Sequence, residues 1–426
     1  MMRNPGCPVP DLDLATRLFN DIREVTRDAE GVTRASYSRE ENVAHEIVRA
    51  AALDLGLTVW ADDAGNLYMS LAGERDGEAP YVVGSHLDSV RRGGSYDGTA
   101  GVIGGLAIAS GYRKRGTRPP RSVTIMATRA EESMWFSCSY IGSRAALGLL
   151  QVDDIENVRR SDTGRSLRDH AGECGFDIGK MCASPPRLHR DSIQGFFEIH
   201  IEQGPVLEER KVPVGIVTGI RGNFRYRSAS CVGEYGHCGT VPRHLRHDAV
   251  IAVVDLIARL DHSWEEYEKS GKDVAVTTGV LHTDPGQHGV SKIAGHAVFA
   301  IDVRSLSSEV LSEIELLLKE EVRLIENKRG VIFDLGPRSE ARPAVVDKRL
   351  RQALISSARR ADLPFVELAS GAGHDAAMFA HAGVPSALIF VRNANGSHNP
   401  REAMEVADLG LACELIVDML EAERTK

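Results

Sequence analysis

No apolar run in the sequence approaches the ~18 residues that a membrane-spanning helix requires, and the opening stretch MMRNPGCPVPDLDLATRLF has no continuous apolar segment of the secretory-signal kind. There is no C-x-x-C pair. Seven cysteines, Cys7, Cys138, Cys174, Cys182, Cys231, Cys238 and Cys413, are odd in number and scattered, which fits reduced thiols in the cytoplasm better than a disulfide framework. A basic surplus is missing too. The formal charge is -9, whereas nucleic-acid binders usually carry a cationic excess, so neither nucleic acid nor membrane is expected as a partner. The one cationic cluster, RKRGTRPPR at 113–121, follows a helical pattern and reads as a solvated turn at a helix C-terminus. No internal repeat, low-complexity tract or heptad array interrupts the chain. What is present is a globular composition, 42% hydrophobic and 26% charged, on 426 residues. That is too long for one ordinary core, so two domains are expected.

The first half alternates helical and strand patterns. ENVAHEIVRAAALDL at 41–55 and GVIGGLAIASGYRK at 101–114 carry helical signals. YVVGSH at 81–86, RSVTIMAT at 121–128, GFFEIHIEQ at 195–203 and SALIFV at 386–391 read as interior strands. This predicts an α/β sheet with helices on both faces, whose ligands gather at the carboxyl ends of the strands. Between about 216 and 336 the rhythm changes to strand, helix, strand, strand, helix, strand, the order of a ferredoxin-like unit. Since strands and chemistry resume afterwards, the expectation is a mixed-sheet α/β catalytic domain (1–215 plus 337–426) interrupted by an inserted βαββαβ lid or dimerisation domain (216–336).

Candidate chemistry starts in GSHLDSVRRGGSYDGTAGV at 84–102. His86 and Asp88 are two apart at a strand end and so share a face, with the aspartate placed to orient the ring. The glycines that follow allow the short side chain of Asp97 to fold back towards His86. Taken alone, a His-x-Asp pair is more often an ordinary hydrogen bond than a ligand pair. TRAEES at 128–133 puts Glu131 and Glu132 after a strand, where one acid can bind metal while the other polarises water. Its blander reading is an acidic helix N-terminus. EIHIEQGP at 198–205, SGAGHD at 370–375 and GSHNP at 396–400 complete the set. Together they place His86, Asp97, Glu132, His200 and His398 after strands of one sheet. Five N/O ligands without cysteine suit two divalent ions, zinc first and manganese or cobalt as alternatives. One shared carboxylate would hold them ~3.5–4 Å apart, as in hydrolytic two-metal sites.

These stretches, in this order, resemble the aminoacylase/carboxypeptidase-type dinuclear metallohydrolases. More narrowly they resemble the hydantoinase/carbamoylase amidase group, which comprises N-carbamoyl-L-amino-acid hydrolases, β-ureidopropionases and allantoate amidohydrolases. The likeness runs from GVTRASYS at 31–38 to GSHNP. It implies Asp97 as the bridging carboxylate, with His86 and His200 completing one metal and Glu132 and His398 the other. Glu131 would be the general base acting on the attacking water, and Asp88 the orienter of His86. In GEYGHCGTVPRHLRHDA at 233–249, His237 matches a histidine that stabilises the tetrahedral intermediate across the interface of a homodimer built through the inserted domain. Arg304 matches the arginine that grips the substrate carboxylate. Gln203 and Gly373 match further substrate positions.

Two departures bear on substrate. SKIAG at 291–295 stands where the group has an Asn–Val–(Val/Ile)–Pro stretch, so Ser291 replaces an asparagine expected to contact the substrate carboxylate. EESMWFSCSYIGSR replaces a Glu-Glu-Gly-Ser-Arg-Phe run, which leaves Trp135 and Phe136 to line the pocket or to fill core. The expected reaction is hydrolysis of an N-carbamoyl-L-amino acid to the amino acid, carbon dioxide and ammonia. Allantoate amidohydrolase or β-ureidopropionase is the alternative. An aminoacylase, a dipeptidase or a non-catalytic ureido-binding protein ranks lower, since a pure binder needs no base beside its metal ligand.

Overall fold

The computed structural model describes residues 7–75, 77–183 and 185–425; the first six residues of the N-terminal stretch read above lie outside it. Two compact units emerge. One holds the chain up to Thr218 together with Val345–Ser370 and everything from His374, and the other holds Gly219–Ala344 with Gly371–Gly373.

Four parallel strands run side by side through the larger unit in the order Val123–Thr128, Tyr81–His86, Gly195–Ile201 and Ser386–Val391. Every residue in them is buried, the polar Glu198 and His200 included, as expected of a parallel sheet covered on both faces. Antiparallel neighbours make the nine-stranded sheet mixed: Leu67–Leu71 and Thr58–Ala61 at one side, Val214–Ile220 at the other. The Arg39–Asp54 helix starts on Ser38, whose hydroxyl accepts the N–H groups of Glu40 and Glu41 at 3.1 and 3.3 Å. The Thr99–Arg115 helix is buried along its first fourteen residues. It can lie this deep because Gly101 lacks a side chain: a Cβ there would come 2.4 Å from the Ile199 carbonyl oxygen. Its end matches the cationic-turn expectation, with Arg113, Lys114 and Arg115 in the last turn before a left-handed Gly116.

The smaller unit is a six-stranded antiparallel sheet centred on Gly222–Val232 and His296–Ser305. The helices Ala249–Lys269 and Ser308–Arg329 bury one apolar stripe each, with Val253, Leu256 and Leu260 from the first and Ile314, Leu318 and Ile325 from the second. Two details depart from expectation. VAVTTGVLHT is not one strand but two, Ala275–Thr277 and Leu281–Thr283, both paired with His296–Ser305. The return to the larger unit falls after Ala344 rather than after 336, because Arg338–Ala341 pairs with Gly222–Val232 further along the same strand edge as Ile332–Asp334.

Trp135 and Phe136 are core residues. They pack with Ile141, Leu150 and Leu167 at essentially zero exposure, and the Trp135 indole N–H donates to the Ser89 carbonyl at 2.8 Å. All seven cysteines are unpaired. Among the described residues no helix is long and apolar enough to cross a membrane.

Candidate metal centre

The parallel strands bring their carboxyl ends to one edge of the sheet. His86 ends the Tyr81–His86 strand, Glu131 and Glu132 follow Val123–Thr128, His200 lies near the end of Gly195–Ile201, and His398 follows Ser386–Val391. Asp97 sits in the turn before the Thr99–Arg115 helix. Gly98 next to it adopts φ 64°, and a Cβ on it would come 2.4 Å from Nε2 of His86. Only glycine leaves room for that ring.

Asp97 divides its two oxygens. Oδ1 lies 3.4 Å from His86 Nε2 and 3.1 Å from His200 Nε2, while Oδ2 lies 3.4 Å from His398 Nε2. Glu132 Oε1 is 3.6 Å from His398 Nε2, and Glu131 Oε2 is 3.9 Å from His86 Nε2. Two groupings suited to a metal ion therefore share Asp97: His86–Asp97–His200 and Asp97–Glu132–His398. The rings are oriented from behind. Nδ1 of His86 lies 3.0 Å from the Asp88 carbonyl oxygen, and Nδ1 of His200 lies 2.8 Å from that of Ile201. With a proton on each Nδ1, each Nε2 carries the lone pair; both lie beside Asp97, and that of His200 also accepts the Gly98 N–H at 3.1 Å.

The side chain of Asp88 does more than face His86, from which its Oδ1 is 3.4 Å away. Oδ1 accepts the N–H of Glu131 and Oδ2 that of Glu132, each at 3.1 Å, and Oδ2 also accepts the Ser36 hydroxyl at 2.6 Å. One carboxylate thus ties the His86 loop to the Glu131–Glu132 loop. Gln203, at φ 64°, donates from Nε2 to Asp97 Oδ2 at 2.8 Å. Its Oε1 is buried without a partner among the described residues.

Burial pushes Glu131 well above the usual carboxylate range against the pull of His86, with Glu132 and Asp375 adding to the push. Glu132 is pushed up to about 7 by burial and then by Asp97. Burial also opposes ionisation of Asp97, yet His200, His398 and His86 hold it well below its ordinary value. Carboxylates gathered in so dry a place are costly unless cations neutralise them. The donor set, the shared aspartate and the orphaned Gln203 oxygen therefore fit a pair of divalent ions.

Sequence reasoning missed Glu402 and Ser397. Glu402 accepts the backbone N–H groups of Tyr96 and Asp97 at 2.9 and 3.2 Å. Ser397 Oγ lies 2.6 Å from both Asp97 Oδ2 and Glu402 Oε2. A hydroxyl carries one proton, so one of those contacts needs a protonated carboxyl; burial, then Asp97, raises Glu402 and makes it the candidate. Beyond its place four residues after His398, nothing in the sequence marked Glu402.

The other expected residues lie in the smaller unit. His237 pairs with Lys292 across two short strands, and the Cys238 N–H donates to the Ser291 carbonyl at 3.0 Å. Nδ1 of His237 accepts the Gly239 N–H at 3.1 Å. Arg304 donates from Nε and Nη2 to Asp302 at 2.9 and 3.0 Å, and from Nη1 at 2.6 Å to the carbonyl of Gly371, two residues before Gly373.

Residues 82–422 match the family described as peptidase family M20/M25/M40. An N-carbamoyl-L-amino acid amidohydrolase of Geobacillus stearothermophilus is 33% identical over 389 residues, 91% of this chain and 92% of its own. An allantoate amidohydrolase of Escherichia coli strain K12 is 32% identical over 394 residues, 92% and 93% of the two chains. The fold is that of a hydantoinase/carbamoylase-family amidase from Burkholderia multivorans, with a TM-score of 0.87, 24% identity and coverage of 99% and 100%. The chain belongs to peptidase family M20/M25/M40 and, within it, to the amidohydrolases of the carbamoylase/allantoate kind.

Proposed function

We propose that this amidohydrolase cleaves the ureido C–N bond of N-carbamoyl-L-amino acids. The observation that carries the reading is Asp97, which offers a separate oxygen to each of two ligand groupings with a further acid, Glu131, alongside them near His86. His86, Asp97 and His200 would hold one divalent ion and Asp97, Glu132 and His398 the other. When bound, such ions supply Lewis-acid polarisation of the ureido carbonyl and a lowered pKa for water.

The protein's own groups do the rest. Glu131 binds no ion in this scheme, so its carboxylate takes a proton from the attacking water and passes it to the leaving nitrogen. Asp88 keeps Glu131 aimed by holding its N–H. The assignment of His237 to the developing oxyanion is supported by its tautomer: Nδ1 accepts a hydrogen bond, so Nε2 carries the proton and is the donor. The assignment of Arg304 to the substrate carboxylate is supported by its donor count: Asp302 and the Gly371 carbonyl take three of the five guanidinium N–H groups, leaving one on each terminal nitrogen. The homodimer expected of this group finds support in the edge strand Ile332–Asp334 of the smaller unit, where Ile332 and its cross-strand partner Val232 are exposed. Sedimentation at the mass of a single chain would exclude it.

Ammonia release from N-carbamoyl amino acids, 3-ureidopropionate and allantoate, measured after loading with zinc, manganese or cobalt, tests the proposal. Metal-dependent turnover fastest on N-carbamoyl-L-amino acids is expected. Preference for allantoate would reassign the substrate, and metal-replete protein inert towards the whole panel would refute ureido hydrolysis.

A further inference from the structure

Glu41 has no part in the chemistry above, yet its carboxylate is wholly buried in the first turn of the Arg39–Asp54 helix. Oε1 accepts the Ala130 N–H at 3.1 Å, and Oε2 accepts the Tyr37 N–H at 2.7 Å and Nη1 of Arg129 at 3.0 Å. Both amides belong to buried residues in left-handed backbone, with φ 51° at Tyr37 and 51° at Ala130. Neither is a glycine, so each conformation is disfavoured on its own and must be held by its surroundings. Arg129 is itself fixed, donating from Nε to the Gly65 carbonyl at 2.9 Å and from its backbone N–H to Asn66 Oδ1 at 3.0 Å.

Ala130 is the residue at which the chain turns out of the Val123–Thr128 strand towards Glu131 and Glu132. Immediately after it, both glutamate N–H groups reach the Asp88 carboxylate. The glutamate pair is therefore gripped by two carboxylates, Asp88 on its own amides and Glu41 on the amide before them. Relaxing Ala130 to an ordinary φ would swing the direction in which both glutamates leave the strand.

We infer that Glu41 is a positioning residue: by holding Ala130 in left-handed backbone, it aims Glu131 and Glu132 at the metal cluster. The inference rests on the reading of Glu132 as a ligand and Glu131 as the base. Glu41→Gln keeps the shape, and its one amide oxygen is best placed where two donors meet, on the Tyr37 N–H and Arg129, so its NH2 group faces the Ala130 N–H and that contact is lost. Zinc affinity, read by chelator competition on the full chain, should fall about tenfold, the scale of outer-shell loss at metal sites. The kcat of the zinc enzyme should fall by a similar factor with KM unchanged. Adding Ala130→Gly should restore both to within threefold, because glycine takes this φ freely. A residue that merely stabilises the core would show no such rescue.

Zinc affinity and kcat both within twofold of wild type in Glu41→Gln would overturn the inference, as would failure of Ala130→Gly to restore either. Should Glu41→Gln not fold, the double variant decides: a folded double variant with near wild-type zinc affinity supports the inference, and an unfolded one overturns it. Zinc affinity needs no substrate, so a wrong substrate assignment is separable from a wrong role for Glu41.

Discussion

Gly98→Ala tests whether the cluster at the sheet edge is a metal site built to close tolerance. The new methyl would lie 2.4–2.5 Å from three atoms of the His86 ring. Carbon atoms rest at about 3.5–4.0 Å, so the ring must retreat by at least about 1 Å. It cannot do so freely, because Nδ1 is 3.0 Å from the Asp88 carbonyl oxygen. Metal–ligand distances tolerate only about 0.2 Å, so His86 should cease to be a competent ligand. A loss of tenfold to a hundredfold in zinc affinity corresponds to about 1.4–2.8 kcal/mol. Placing alanine at φ 64°, ψ −49°, outside the left-handed helical well, adds a backbone cost on the order of 1–3 kcal/mol to the fold itself. Gly164→Ala helps separate the two effects: it stands at φ 67° with nothing within 4 Å of its Cβ position, so it carries a positive-φ cost without the crowding. Chelator competition and thermal melting with and without zinc should show both variants destabilised and only Gly98→Ala weakened for zinc. Wild-type affinity in a folded Gly98→Ala protein would mean that His86 binds no metal.

Glu131→Gln should keep its zinc while kcat falls by at least about a hundredfold, the low end of what a positioned general base contributes; metal analysis and ammonia release read the two separately, and activity within tenfold of wild type would remove Glu131 as the base. Arg304→Ala should lower kcat/KM for N-carbamoyl-L-amino acids by about 10- to 100-fold, the scale of a charge-assisted contact, and leave the corresponding carboxamides unaffected. Asp302 would not be orphaned by that change, because Arg225 also donates to it at 2.6 Å. Equal losses on acid and amide substrates would place the carboxylate elsewhere.

The ligand strands were legible because each is built on a short apolar run that carries or leads into a histidine or an acid, as in YVVGSH and GFFEIHIEQ. The Asp97 turn was legible through its glycines. Harder to read was the segment from Ser133 to Ala183, where short helices such as Ser133–Phe136 and Ile141–Ala146 offer too few turns for a periodic signal. Glu41 was invisible for another reason. It stands beside Glu40 in a helical first turn, where acids need no explanation beyond the helix dipole, and only packing makes one half-buried and the other fully so.

Asp88 shows why a spacing rule fails where a strand stops. Residues two apart share a face only while the chain stays extended, and the strand ends at His86 itself. Past that point the backbone turns, so the Asp88 carbonyl lies nearer to Nδ1 of His86 than the carboxylate does, at 3.0 against 3.4 Å. The carboxylate is thereby free to reach the amides of Glu131 and Glu132. An aspartate chosen by sequence as a partner for one histidine couples the two loops that supply the ligands, and that coupling depends on a backbone turn that no side-chain pattern records.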